Sequence, residues 1–130
     1  MYYDLDALME LSDELGFNPC RMSHDVLEVI ISDGIILCFE NLRDKEDTMF
    51  GFKGTSWHSH GKLVLMVDNI SFVELDELDI LMGLKNGDLL IIERYLNERL
   101  EDRWLSHQRH AVNVEYMQIG EEIRIRRTNA

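Results

Sequence analysis

The chain has little of what breaks, crosslinks or inserts a polypeptide. Pro19 is its single proline, and glycine occurs eight times. That is too few for a linker or a low-complexity tract, so residues 1–130 are expected to form one globular domain. Two cysteines, Cys20 and Cys38, cannot build a disulfide framework. They fit a reducing compartment, with both thiols expected to be buried. No apolar run approaches the roughly 18 residues that cross a bilayer. The opening MYYDLDALMEL is acidic and amphipathic, whereas a secretory signal starts basic and continues apolar. A cytoplasmic location is therefore expected. Also missing are a Gly-Lys-Ser/Thr phosphate loop, a Gly-x-Ser-x-Gly elbow and an EF-hand ligand order. These absences point away from the commonest nucleotide, acyl-transfer and calcium sites.

Positive charge is scarce as well. Lys and Arg number 13 against 25 Asp and Glu, a net charge of −12. Residues 1–50 alone hold 12 acids and 3 bases. Such a surface repels phosphate backbones, which argues against direct nucleic-acid binding. It attracts and steers a basic protein. Modest acidity also keeps a protein soluble, but solubility does not require the charge to gather at one end.

Hydrophobic residues make up 45% of the chain, enough for a core. Residues 4–15, DLDALMELSDEL, predict an amphipathic helix capped by Asp4 and stopped by Gly16. Leu5, Leu8, Met9, Leu11 and Leu15 share one side, and Asp6, Glu10, Asp13 and Glu14 the other. Residues 26–40 read as two strands around the hairpin turn Asp33-Gly34, in a sheet center with both faces largely covered. NLRDKEDTMFGFKGT reads as a charged loop. KLVLMV at 62–67 and ISFVEL at 70–75 read as strands, and 74–87 as a short helix ended by Asn86-Gly87. Residues 89–105 read as two strands turning near Asn97, with a single helix as the alternative. Val112, Val114 and Tyr116, then Ile123 and Ile125, predict a last hairpin around Gly120. The expected fold class is α+β: an antiparallel sheet of about six to eight strands built from hairpins, an N-terminal helix and one further short helix.

In WHSH, His58 and His60 fall on one side of an extended segment. Zinc takes three or four ligands, and the next histidines, His107 and His110, are distant in sequence. The pair resembles the His-x-His of JAMM-type isopeptidases and of cupins. The first family continues with proline and then Ser-x-x-Asp. Here Gly61 follows, and Asp68-Asn69-Ile70-Ser71 has the reverse order. Cupins place a glutamate shortly afterwards, where Val64 and Leu65 stand. The likeness spans three residues, and no function is carried over. No metal, cofactor or catalytic residue is expected.

The segment 68–79, DNISFVELDELD, carries Asp68, Glu74, Asp76, Glu77 and Asp79 around Phe72, Val73 and Leu75, without one base. Carboxylates beside apolar anchors suit an interface for a basic protein. Asp68, Phe72, Glu74, Asp76, Glu77 and Asp79 are the expected partner-binding residues, and the stripe Asp6, Glu10, Asp13, Glu14 a secondary acidic face. Helix capping accounts for some of these charges. Arg103 and Trp104 are also of types common at interface centers, although a tryptophan is more often core. The reading is a non-enzymatic binding module of a bacterial cytosol, an immunity- or antitoxin-type inhibitor of a cationic partner such as a nuclease toxin. The alternatives are a small metal-dependent enzyme built on His58 and His60, and a structural or oligomer-forming domain.

Overall fold

A computed structural model describes residues 2–110 and 118–128. Helix α1 (Leu5–Glu14) starts where the Asp4 side chain accepts the Ala7 N–H at 3.0 Å. Leu5 and Leu8 are its buried leucines. Strands β1 (Asn18–Ser23), β2 (Val26–Ser32), β3 (Ile35–Leu42), β4 (Asp47–Phe52) and β5 (His58–Ser59) form a five-stranded sheet in that order. Every pairing in it is antiparallel. Asp33-Gly34 joins β2 to β3, with Gly34 at φ +73°, the left-handed conformation a two-residue hairpin requires.

Strands β6 (Leu63–Met66) and β7 (Phe72–Leu75) form a separate two-stranded ribbon. Helix α2 (Glu77–Asn86) follows and ends on Gly87. Strands β8 (Leu89–Leu96), β9 (Arg99–His107) and β10 (Glu121–Arg126) form a three-stranded sheet with β8 in the middle. The turn of β8 into β9 uses Asn97 and Glu98, both at positive φ. The described residues thus form an α+β fold of two helices and ten strands. None of its helices is long and apolar enough to cross a membrane.

Several expectations need correction. Among the described residues there is no single sheet of six to eight strands; the largest has five. The break comes after β5. Gly51 lies so close beneath the Trp57 carbonyl that a Cβ there would stand 2.6 Å from its oxygen. The chain stays paired with β4 for two residues only. His60 then places Nδ1 2.7 Å from the Thr48 carbonyl, and the Gly61 N–H donates to the Thr48 hydroxyl at 2.9 Å. These bonds carry the chain off the sheet edge.

The stretch read as a charged loop contains β4, whose Thr48, Phe50 and Phe52 are buried. Strands β2 and β3 have one buried face, with Leu27, Val29, Leu37 and Phe39, while Ile30 is exposed. Cys20 is exposed and Cys38 half-buried, both as free thiols. Both residues pair with Glu28, Cys20 from β1 and Cys38 from β3. They are two strand spacings apart, roughly 10 Å, beyond disulfide reach. Strand β10 pairs with β8; Val112, Val114 and Tyr116 lie outside the described residues.

One core joins the parts. The inner face of the five-stranded sheet meets Leu8 of α1, Ile80, Leu81 and Leu84 of α2, and Ile91 and Leu105 of the three-stranded sheet. Near its edge lies a buried ionic cluster. Arg103 donates Nε and Nη2 to Glu93 Oε2 at 2.9 and 2.6 Å, and Arg126 donates Nε to Oε1 at 2.7 Å. Burial pushes the Glu93 carboxyl up, but hydrogen bonds and charge from Arg126 and Arg103 outweigh it, and the group titrates below its ordinary range.

Glu93→Gln is expected to lower the unfolding free energy by about 3–5 kcal/mol, because it strands a buried guanidinium. Urea titration at neutral pH reads this directly. A folded value below the unfolded one makes the cluster's contribution complete above about pH 4.3. That contribution is lost as pH falls through the folded value. The parent should therefore lose stability in acid more steeply than the variant. Equal stability of the two at pH 7 would contradict this account.

Candidate partner-binding surface

The β6–β7 ribbon pairs Leu63 with Leu75, Val64 with Glu74, Leu65 with Val73 and Met66 with Phe72. Side chains alternate across a strand. Leu63, Leu65 and Leu75 therefore pack on the core, with Val73 on the same side. Val64, Met66, Phe72 and Glu74 are left on the outer face, all exposed. Phe72 is 64% exposed and Ile70, in the connecting turn, 92%. Large apolar side chains grouped in this way mark interaction sites more often than accidents. Burying one of them is worth about 1.5–3 kcal/mol.

The turn that presents Ile70 is held by Asp68. Its Oδ1 accepts the N–H of Ile70 at 2.9 Å, the N–H of Ser71 at 2.8 Å and the Ser71 hydroxyl at 2.7 Å. These bonds, that from Ile70 first, hold the carboxyl below its ordinary range. Asp76 and Asp79 are also engaged locally. Asp76 Oδ1 accepts the Asp79 N–H at 2.8 Å, and Asp79 Oδ2 accepts the Asp76 N–H at 3.1 Å, a reciprocal cap on α2. Glu77 follows in the first helical turn.

Of the six residues expected at the interface, Phe72 and Glu74 share the outer face. Asp68 shapes the turn beside them, and Asp76 and Asp79 cap the helix behind. Val64, Met66 and Ile70, outside the sequence-based expectation, are exposed beside them. The run Leu63-Val64-Leu65-Met66 could have revealed the first two, since a ribbon strand with apolar residues at every position shows one apolar face to solvent.

The stripe on α1 is placed as its spacing implies: Asp6, Glu10, Asp13 and Glu14 are all exposed. Arg21 on β1 donates to Asp6 at 2.7 Å, and among the described residues no large apolar side chain stands within the stripe. It offers a partner charge without anchors.

The rings of His58 and His60 are 5.2 Å apart and nearly perpendicular. His58 places Nδ1 3.0 Å from the Ser56 carbonyl, and His60 places Nδ1 near the Thr48 carbonyl and 3.1 Å from Asp47 Oδ2. A carbonyl only accepts, so Nδ1 carries the proton in both rings. The pair is thereby tied into the crossing from β5 to β6. Among the described residues no three His, Cys, Asp or Glu side chains form a group that could hold a metal ion. His107 and His110 flank a turn closed by the His110 N–H to the His107 carbonyl at 2.9 Å. They share one cleft with His58.

Asp76→Ala is expected to cost about 1 kcal/mol through loss of the cap, while Glu74→Gln should stay within about 0.5 kcal/mol of the parent. Thermal or urea unfolding separates them, and a Glu74 variant as damaged as the cap variant would contradict this division. No protein-family model, curated protein or solved structure matches this chain.

Proposed function

We propose that this protein is a non-enzymatic, acidic binding module that docks a basic protein through the outer face of the β6–β7 ribbon. Its role in this reading is that of an immunity- or antitoxin-type inhibitor in a bacterial cytosol, with a cationic partner such as a nuclease toxin. The observation that carries it is the exposed group Val64, Met66, Ile70 and Phe72 beside Glu74, on a chain of net charge −12. A nuclease must present Lys and Arg to hold phosphates. Carboxylates meet those cations, and an apolar patch excludes water from the ion pairs around it. Charge without such anchors, as on α1, mainly steers the encounter.

The test begins with a partner copurified from the source cell, identified and then prepared pure. The partner should be strongly basic, with an isoelectric point above about 9. Phe72→Ala or Ile70→Ala should each cost about 2 kcal/mol of affinity by calorimetry, a loss of roughly 25-fold. Neutralising Asp6, Glu10, Asp13 and Glu14 together should slow association, and added salt should do the same. Circular dichroism checks that each variant folds. If the stripe variant loses affinity while the Phe72 variant keeps it, the interface lies on α1. If the ribbon variants abolish only self-association, the protein is the structural or oligomer-forming domain instead.

A further inference from the structure

Strand β6 lies against β9, yet among the described residues β6 pairs with β7 alone, and β9 with β8 alone. Between these two strands opens a cleft of about 460 Å³. Trp57 and Trp104 line it, together with His58, His107, His110 and Lys62. WHSH and SHQRH, distant in sequence, thus meet at one place.

The chemistry of this lining departs from the rest of the chain. Asp and Glu outnumber Lys and Arg by 25 to 13 overall, but no carboxylate side chain lines the cleft among the described residues. Lys62 supplies a full positive charge. His107 accepts the Arg109 N–H on Nδ1 at 3.2 Å, so its neutral ring carries the proton on Nε2 and can donate from there. The two indoles add flat apolar surface. Trp57 is braced by Phe50 and Phe52, with ring centroids 5.8 and 6.0 Å away. A cation would meet the Lys62 ammonium and the His107 Nε2–H, and a purely apolar ligand would leave these two donors without acceptors. An anion satisfies them, and a flat ring beside it covers the indoles.

We infer that this cleft binds a small organic anion with a flat aromatic body, such as an aromatic carboxylate, sulfonate or phosphate. The anionic group is held by Lys62 and His107, and the ring lies against the indoles. The cleft shares Val64 and Met66 with the ribbon but not Phe72, so the two sites can be tested apart.

The experiment titrates the full chain with anilinonaphthalene sulfonate and with uncharged phenylnaphthylamine, following probe fluorescence. The sulfonate should bind once per chain and roughly tenfold more tightly than the uncharged probe. Lys62→Ala and His107→Ala together should erase that preference, and Phe72→Ala should leave it intact. Lys62 is exposed, so Lys62→Glu keeps the fold and should weaken the sulfonate further. Equal affinity for the two probes, or loss of binding in Phe72→Ala with no effect at Lys62, would overturn the inference. The second result would place the probe on the ribbon.

Discussion

A two-stranded ribbon has two faces, and only one can lie on the core. The rest of this account depends on that constraint. In β6 and β7 nearly every position is apolar, so turning Leu63, Leu65, Val73 and Leu75 inward forces Val64, Met66 and Phe72 outward. A slip of one residue in one strand would exchange these sets. The core cluster, which takes in Leu63, Leu65 and Leu75, makes that slip costly. Asp68 then fixes the turn with three hydrogen bonds, which hold Ile70 at the exposed tip. Among the described residues no second layer covers this surface, and Glu74 stands exposed on it beside the apolar side chains.

Polar groups do the joining that a small core cannot do alone. Tyr3 donates its hydroxyl to the Gly61 carbonyl at 2.7 Å, and its backbone exchanges hydrogen bonds with the Asn41 side chain. Thr48 holds Gly61 and His60 from the neighbouring strand. These bonds fasten the chain where it leaves the five-stranded sheet, and so set where the ribbon begins. On the other side, Arg103 reaches from Glu93 toward the Gly34 carbonyl at 3.4 Å and lies over the Phe52 ring. The three-stranded sheet is thereby tied to the hairpin end of the larger one. Burial is tolerable for Glu93 because two guanidiniums share its oxygens.

Much of the fold was legible because it rests on local chemistry. Asp4 before DALMEL, Asp33-Gly34 between β-rich runs, Asn86-Gly87 after a helical spacing and the turn at Asn97 each predict the element found. The division into three sheets was not legible, because it turns on the Thr48 contacts with His60 and Gly61, made across twelve or more residues. Strand β4 reads as a loop because Arg43 and Lys45 before it, and Asp47 at its start, hide the alternation of Thr48, Phe50 and Phe52. Phe72 and Glu74 were visible as an acidic and apolar mixture, but that mixture could not separate the aspartates that cap from the residues that face solvent. The Glu93 cluster and the histidine-lined cleft depend on tertiary proximity, and spacing alone carries no trace of either.

Hydrogen–deuterium exchange of the chain, free and bound to a purified partner, tests the proposed ribbon interface most directly. Amides from Val64 to Glu74 should slow markedly in the complex, while those of α1 change little. Protection confined to α1, with the ribbon exchanging as it does in the free protein, would contradict the account.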